Sequence, residues 1–292
     1  MSADADAVLA KQTDIRDKPK LSVSRVFIYI FLVVFGIFFV VPLYVAIVTS
    51  LKGLSEVSTS TIWALPTSPT LDNYTSAGKE LGNGFINSLF LSIPSVLISA
   101  MLGSLNGYVL SKWKFKGSNL LFTLILFGMF IPYQSILIPL VQFLQAIKLF
   151  ASIPGLVLVH VVYGIPITTL IFRNYYAGVP DELMEAGRID GAGFFGIYRH
   201  IVFPLSLPAF VVVLIWQFTA VWNEFLFAVT LNSNPAVQPI TVALAGLGAS
   251  QAGTDYGVQM AGSLITALPT LIVYILLGRY FIRGLLAGSV KG

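Results

Sequence analysis

Cysteine is absent from all 292 residues. That excludes disulfide frameworks, thiolate metal sites and cysteine nucleophiles. Histidine is almost absent: His160 and His200 are the only two, and neither has neighbours at metal-ligand spacing. Charge is scarce as well, at 10% of the chain against roughly 25% in a soluble domain. No GxxxxGK[ST] phosphate loop occurs, so the chain is not expected to bind ATP itself. No HExxH and no paired membrane carboxylates are present, which argues against an intramembrane enzyme.

What fills the chain instead is apolar: 56% of residues are hydrophobic, and the mean hydropathy is +0.85. The stretch 27–49 is uncharged and long enough to cross a bilayer as a helix. Five more candidates lie at about 86–110, 119–143, 153–172, 205–230 and 258–278. Strand-like alternation over about ten residues, the mark of a membrane barrel, is missing. Within lipid the remaining solution is the helix. The expectation is an all-α polytopic membrane protein with six transmembrane helices, residues 25–283. A polar tail over 1–24 precedes them, with charges of both signs. A cleaved leader is not expected, because the first apolar segment exceeds an h-region of about 7–15 residues.

The 17 Lys and Arg residues give an orientation. The N-terminal tail carries Lys11, Arg16, Lys18, Lys20 and Arg25. Loop 111–118 carries Lys112, Lys114 and Lys116, loop 173–204 carries Arg173, Arg188 and Arg199, and the C-terminal end carries Arg279, Arg283 and Lys291. Only Lys52, Lys79 and Lys148 fall in the intervening loops. The positive-inside rule places both termini and loops 111–118 and 173–204 in the cytoplasm. The net charge of +4 is therefore an orientation signal and not a nucleic-acid footprint.

On the opposite side, 52–85 holds Trp63, Pro66 and Pro69 and reads as a short extracytoplasmic cap. Segment 231–257, with Asn232, Asn234, Gly246, Gly248 and Gly253, reads equally as a flexible connection or as a loop reaching a partner or substrate. Gly103 and Gly107 form a GxxxG that permits close helix packing. Pro132, Pro139, Pro154 and Pro166 interrupt the third and fourth stretches.

The longest loop on the cytoplasmic side, 175–204, has internal order. Pro180, Asp181 and Glu182 suit the start of a short helix. Leu183, Met184, Ala186 and Gly187 give it a small apolar face, and Asp190-Gly191 is a turn signal. Phe194, Phe195 and Ile197 begin a second segment, and Pro204 and Pro208 mark re-entry into the membrane. An exposed apolar patch of this kind marks a protein contact.

This loop resembles the EAA motif of ABC importer permeases: Glu-Ala-Ala, three residues, Gly, nine residues, Ile, one residue, Leu-Pro. Glu185, Ala186, Gly191, Ile201 and Pro204 match, whereas Gly187 replaces the second Ala and Phe203 the Leu. Asp190-Gly191-Ala192-Gly193 and Trp222-Asn223-Glu224-Phe225 resemble the second permease of the maltose-type, carbohydrate-uptake family, as does the ending from Tyr280 to Gly292. Asn106-Gly107-Tyr108 and Val162-Tyr163-Gly164-Ile165-Pro166 look more like the glucose/mannose and glucosylglycerol branch.

The resemblance implies a type I ABC importer permease fold in a bacterial cytoplasmic (inner) membrane, and a non-catalytic transport subunit. It implies a homologous second permease, two ATPase subunits that bind ATP and Mg, an extracytoplasmic sugar-binding protein and no cofactor in this chain. Glu185, Ala186, Gly187, Asp190, Gly191, Ala192, Gly193, Ile201 and Pro204 would dock on an ATPase. Ser289, Val290, Lys291 and Gly292, in the tail over 284–292, would reach between the ATPases. For Glu185 the alternative role is helix N-terminal electrostatics.

Glu224 is the only ionisable residue in the fifth apolar stretch, a feature that often marks a pathway. Trp216, Gln217, Trp222 and Asn223 could join it in holding sugar hydroxyls and ring faces; the alternative is a packed interhelical hydrogen bond. The rival functions are a permease for a non-sugar solute, or a secondary transporter or channel. The latter class tends to hold several membrane-embedded charges.

Overall fold

The computed structural model describes residues 23–289 apart from 59, 114, 248, 251 and 252. Most of the tail expected over 1–24, and Val290, Lys291 and Gly292 of the expected ATPase contact, lie outside the described residues. Ser289 is the last residue of the final helix.

The chain is helical, as its apolar runs require. The helix α1 (Val23–Ser50) leaves nearly all its side chains exposed, with Phe38 at 70% and Phe39 at 75%, and buries only Val48, Thr49 and Ser50. So much exposed aromatic surface fits lipid and not water. A polar segment follows, pinned by side chains: Asn73 Nδ2 donates to the carbonyls of Ser50 (2.9 Å) and Lys52 (2.8 Å), and Tyr44 donates to Trp63 O (2.9 Å).

The long helix α2 (Asp72–Lys112) is the centre of the bundle and packs most extensively on α5 (Ile153–Ala177). Small residues allow it. A Cβ on Gly103 would collide with Thr168, and one on Gly107 would lie 2.7 Å from Phe172 Cβ, so the GxxxG is spent on packing inside this chain. Ser152 caps α5 by accepting from Gly155 N (3.2 Å), with Pro154 in the first turn. Pro166 lies within α5, which continues past it.

The expected third span, 119–143, is two pieces. The helix α3 (Ser118–Phe127) runs into a 3₁₀ turn, and after Pro132 the chain enters α4 (Leu137–Ala146); the two halves meet at 89°. Pro132 has no N–H to donate, and the residue before it is pushed to extended backbone, so the helix stops there. A similar break occurs later. The helix α6 (Glu182–Ile189) and α7 (Phe194–Ile197) form the loop; α7 runs through a π-turn and α8 (Phe203–Leu205) into α9 (Leu207–Trp222) with a 75° bend. Pro204 and Pro208 sit in the first turns on either side. Among the described residues, four helices are long and apolar enough to cross a membrane, or six segments if each bent pair is one span.

Segment 231–257 is not a loose tether. The 3₁₀ turn Pro235–Val237 and α11 (Ile240–Gly246) fold back on α2, where Asn87 Nδ2 donates to Ala236 O and Gln238 O and Ser88 Oγ accepts from Ile240 N (2.8 Å), while α10 (Leu226–Leu231) packs on α4, α5 and α11. A two-residue antiparallel ladder, Ala249–Ser250 with Gly253–Thr254, leads to α12 (Tyr256–Ser289), which packs on α1, α2 and α9.

Candidate functional site

Two places gather chemistry. The first is the hairpin between α5 and α9. In α6 the acidic Glu182 and Glu185 occupy the first turn, where they complement the helix dipole. Met184 and Gly187 face inward; Glu185, Ala186 and Ile189 face out. Ile189 is 86% exposed and Phe195 72%, unusual for large apolar side chains. The turn closes at Gly191, whose φ of +82° suits glycine, with Ala192 N donating to Gly187 O (2.9 Å). Of the other motif residues, Asp190, Gly193 and Pro204 are exposed, while Ala192 and Ile201 are half-buried.

The inner side of the hairpin is clamped to α2. Lys112 Nζ donates to Val179 O (2.5 Å) and to Asp181 Oδ1 (2.6 Å). Arg188 lies over the Trp113 ring at 5.2 Å, and the two line a cavity of about 340 Å³ together with Glu185 and Met184. Phe194 packs on Trp113 and Tyr108 at 5.1 and 5.0 Å. Beneath, Ser104 Oγ in α2 bonds the hydroxyls of Tyr176 (2.6 Å) and Tyr198 (2.9 Å), tying α2, α5 and the π-turn at one buried atom. Lys112, Trp113 and Ile189 were not among the residues singled out from sequence; a Lys-x-Lys-x-Lys run reads there only as topology.

The second place is a cleft within the bundle. His160, Tyr163, Gly164 and Ile167 of α5 line it, at i, i+3, i+4 and i+7. Gln217, Ala220, Val221 and Glu224, from α9 and the turn beyond it, line the facing wall at the same spacing. The cavity measures about 230 Å³ and adjoins one of about 500 Å³; Tyr133, Tyr163 and Trp216 border both. Glu224 caps α10, its carboxylate accepting from Phe227 N (2.8 Å) and Ala228 N (3.2 Å).

The five pathway candidates therefore separate. Trp216, Gln217 and Glu224 share the cleft. Trp222 points elsewhere: it is 1% exposed, stacks on Phe218, and donates to Thr266 O (2.9 Å). Asn223 is exposed and caps α9 by donating to Thr219 O (2.9 Å). The cleft adds His160, Tyr133 and Tyr163, which sequence reasoning passed over. The i, i+3, i+4, i+7 rows on both helices were the available signal. Among the described residues no group of three His, Asp or Glu side chains could hold a metal.

Comparison with known proteins agrees with this architecture. The chain is 44% identical over 274 residues to a probable ABC transporter permease protein of Pyrococcus horikoshii, covering 94% of this chain and 99% of the relative. It is 39% identical over 287 residues to the xylose/arabinose import permease protein of Haloferax volcanii, covering 91% and 93%. A chain in the crystal structure of a bacterial ABC transporter involved in the import of the acidic polysaccharide alginate shares the fold, with a TM-score of 0.78 at 22% identity over 90% of this chain and 99% of that one. Residues 99–285, which contain both the clamped hairpin and the cleft, match the family described as "Binding-protein-dependent transport system inner membrane component", and the chain belongs to that family of ABC importer permeases.

Proposed function

We propose that this chain is the permease subunit that carries a sugar or sugar-like solute inward through the cytoplasmic (inner) membrane, driven by separate ATPase subunits. The observation that carries the reading is the hairpin: Ile189 at the end of α6 and Phe195 in α7 are bare on its outer side, and Lys112, Trp113 and Ser104 hold its inner side to the bundle. An exposed apolar face on a rigid support suits docking on another protein. Glu185, Ala186, Gly191 and the exposed apolar pair form that contact, and the C-terminal end from Ser289 to Gly292 adds a second. The sugar assignment is supported by the similarity to a xylose/arabinose import permease over 91% of the chain.

In this reading both termini and the hairpin are cytoplasmic, as the Lys and Arg distribution indicates. ATP closes the two ATPases and draws the hairpins of this chain and a homologous permease together. The bundles then rock between inward-open and outward-open states. A binding protein delivers the solute, and Trp216, Gln217 and Glu224 border its path. ATP and Mg belong to the ATPases.

The test is purification of the tagged chain from its native membrane, followed by reconstitution. ATPase subunits and a second permease should co-purify. The complex with its binding protein should take up at least one of xylose, glucose, mannose, trehalose, maltose and glucosylglycerol. A lone chain active without ATP would overturn the reading.

A further inference from the structure

The hairpin joins the bundle at two ends. Where the chain leaves α5, Lys112 clamps it. Where the chain returns, through the π-turn Tyr198–Val202 and the bend into α9, hydroxyls hold it. Tyr198 and Tyr176 meet Ser104 Oγ at 2.9 and 2.6 Å, and the Tyr175 hydroxyl donates to Leu205 O at 2.7 Å. Ser206 closes the bend: its N–H donates to Val202 O (3.0 Å) and its hydroxyl to Phe203 O (2.8 Å). Ser104, Tyr176, Tyr198 and Ser206 are all buried.

Apolar packing does not ask for these groups. Tyr176 and Tyr198 belong to a core with Ala100, Phe172, Phe210 and Val213, which also takes in Met184 of α6 and Ile197 of α7. A hydroxyl buried in such a core is costly unless it is paired. Pairing here is directional. Ser104 has one proton to give, so it donates to one tyrosine and must accept from the other. The node is satisfied only when α2, α5 and the π-turn stand in one arrangement. A shift of about 1 Å along the 2.9 Å bond to Tyr198 would carry it past hydrogen-bond length. Two of the three arms have no room to shift against each other. Gly103 and Gly107, on either side of Ser104, bring α2 against Thr168 and Phe172 of α5 so closely that no Cβ would fit. The third arm is Tyr198, on the segment that carries the hairpin. Displacement of the hairpin therefore reaches the α2–α5 pair through this bond, and π-turns recur at functional positions of this kind.

We propose that Ser104, Tyr176 and Tyr198 form the joint that passes movement of the hairpin to the bundle, with Ser104 and Tyr198 as positioning residues for coupling. This deepens, and rests on, the permease reading above. The hairpin's outer face then decides whether an ATPase docks, and the joint decides whether its stroke moves the helices.

The experiment uses the complete importer with its binding protein in proteoliposomes. The chain is wild type, Ser104→Ala, Tyr198→Phe or both together, and Val213→Ala serves as control. Tyr198→Phe keeps the ring against Tyr108 and removes only the hydroxyl. Val213→Ala removes methyl groups from the same core and touches no hydroxyl. Uptake of xylose, glucose and maltose is measured beside ATP hydrolysis, Tm and the ratio of ATPase to permease. Sugar carried per ATP should fall about fivefold in each single variant, with hydrolysis within about twofold of wild type and the subunit ratio unchanged. Tyr198→Phe should add nothing to Ser104→Ala, because both remove one bond. Val213→Ala should lower Tm and leave sugar per ATP unchanged. An unchanged value in Tyr198→Phe, additive losses in the double variant, or an equal fall in Val213→Ala would overturn the joint and leave the permease reading intact. A wild-type complex that carries none of these sugars would sink that reading before any variant is compared.

Discussion

Gly187 and Ile201, two positions of the loop motif, meet across the hairpin: a Cβ on Gly187 would lie 2.7 Å from Ile201 Cδ1 and 3.3 Å from Ile197 Cγ1. The glycine that replaces the family's alanine therefore faces the hairpin's own core and not its outer surface. The atom in the way is the end of a flexible side chain and can move. Gly187→Ala should fold and transport normally, and helix propensity should add up to about 1 kcal/mol of local stability. Gly187→Leu should overpack Ile197 and Ile201 at a cost of about 1–3 kcal/mol. Thermal unfolding in detergent separates the two: Tm equal or higher for alanine, lower for leucine.

Gly191 is constrained differently. Its φ is +82°, and nothing lies within 4 Å of a Cβ built there. Space is free; backbone is not. Gly191→Ala should cost about 1–2 kcal/mol through the left-handed conformation alone, and Gly191→Asn less. Gly191→Trp adds bulk on the outer side of the turn, where an ATPase would seat. Its uptake should be lost while ATP hydrolysis in the complex persists. Wild-type uptake in vesicles with Gly191→Trp would contradict the docking role.

Lys112 links the hairpin to α2. Its side chain is 6% exposed, whereas that of Asp181 is 61% exposed. Solvent screens the carboxylate half of this pair, so Asp181→Asn should cost less than about 1 kcal/mol. The bond to Val179 O and the buried stem carry the rest. Lys112→Met should leave that carbonyl unpaired at about 1–3 kcal/mol, and the hairpin should move less faithfully with the bundle. The readout is sugar taken up per ATP hydrolysed, which should fall for Lys112→Met and stay near wild type for Asp181→Asn.

The hairpin was legible because every signal for it is local: Pro180 with Asp181 and Glu182 starts the helix, Gly191 ends it, and the motif spacing spans one loop. The 89° break after Phe130 was harder, since proline in an apolar run either bends a helix, as at Pro132, or is absorbed, as at Pro166 in α5. Neighbouring helices decide which. The cleft was half legible. Gln217 and Glu224 lie two turns apart on one face, and Trp222 falls on another, which helix geometry alone could have separated. His160 was not legible as a neighbour of Glu224, because only the packing of α5 on the end of α9 brings them to 3.8 Å.

Ile189 and Phe195 are the sharpest test of what the hairpin contacts. Both are bare, at 86% and 72% exposure, and neither supports the fold from that position. Replacing either by a charged residue therefore costs the isolated chain little; surface changes of this kind stay within about 0.5 kcal/mol. At a docked interface the same change buries a charge without a partner, and apolar anchors in such contacts are worth about 2 kcal/mol or more. Ile189→Asp and Phe195→Asp should leave Tm in detergent unchanged and reduce ATPase co-purification and uptake by about tenfold or more. If lipid covered these residues instead, the aspartates would lower insertion and Tm, and co-purification would follow the amount of folded chain. The ratio of ATPase to permease in the purified complex decides between the two.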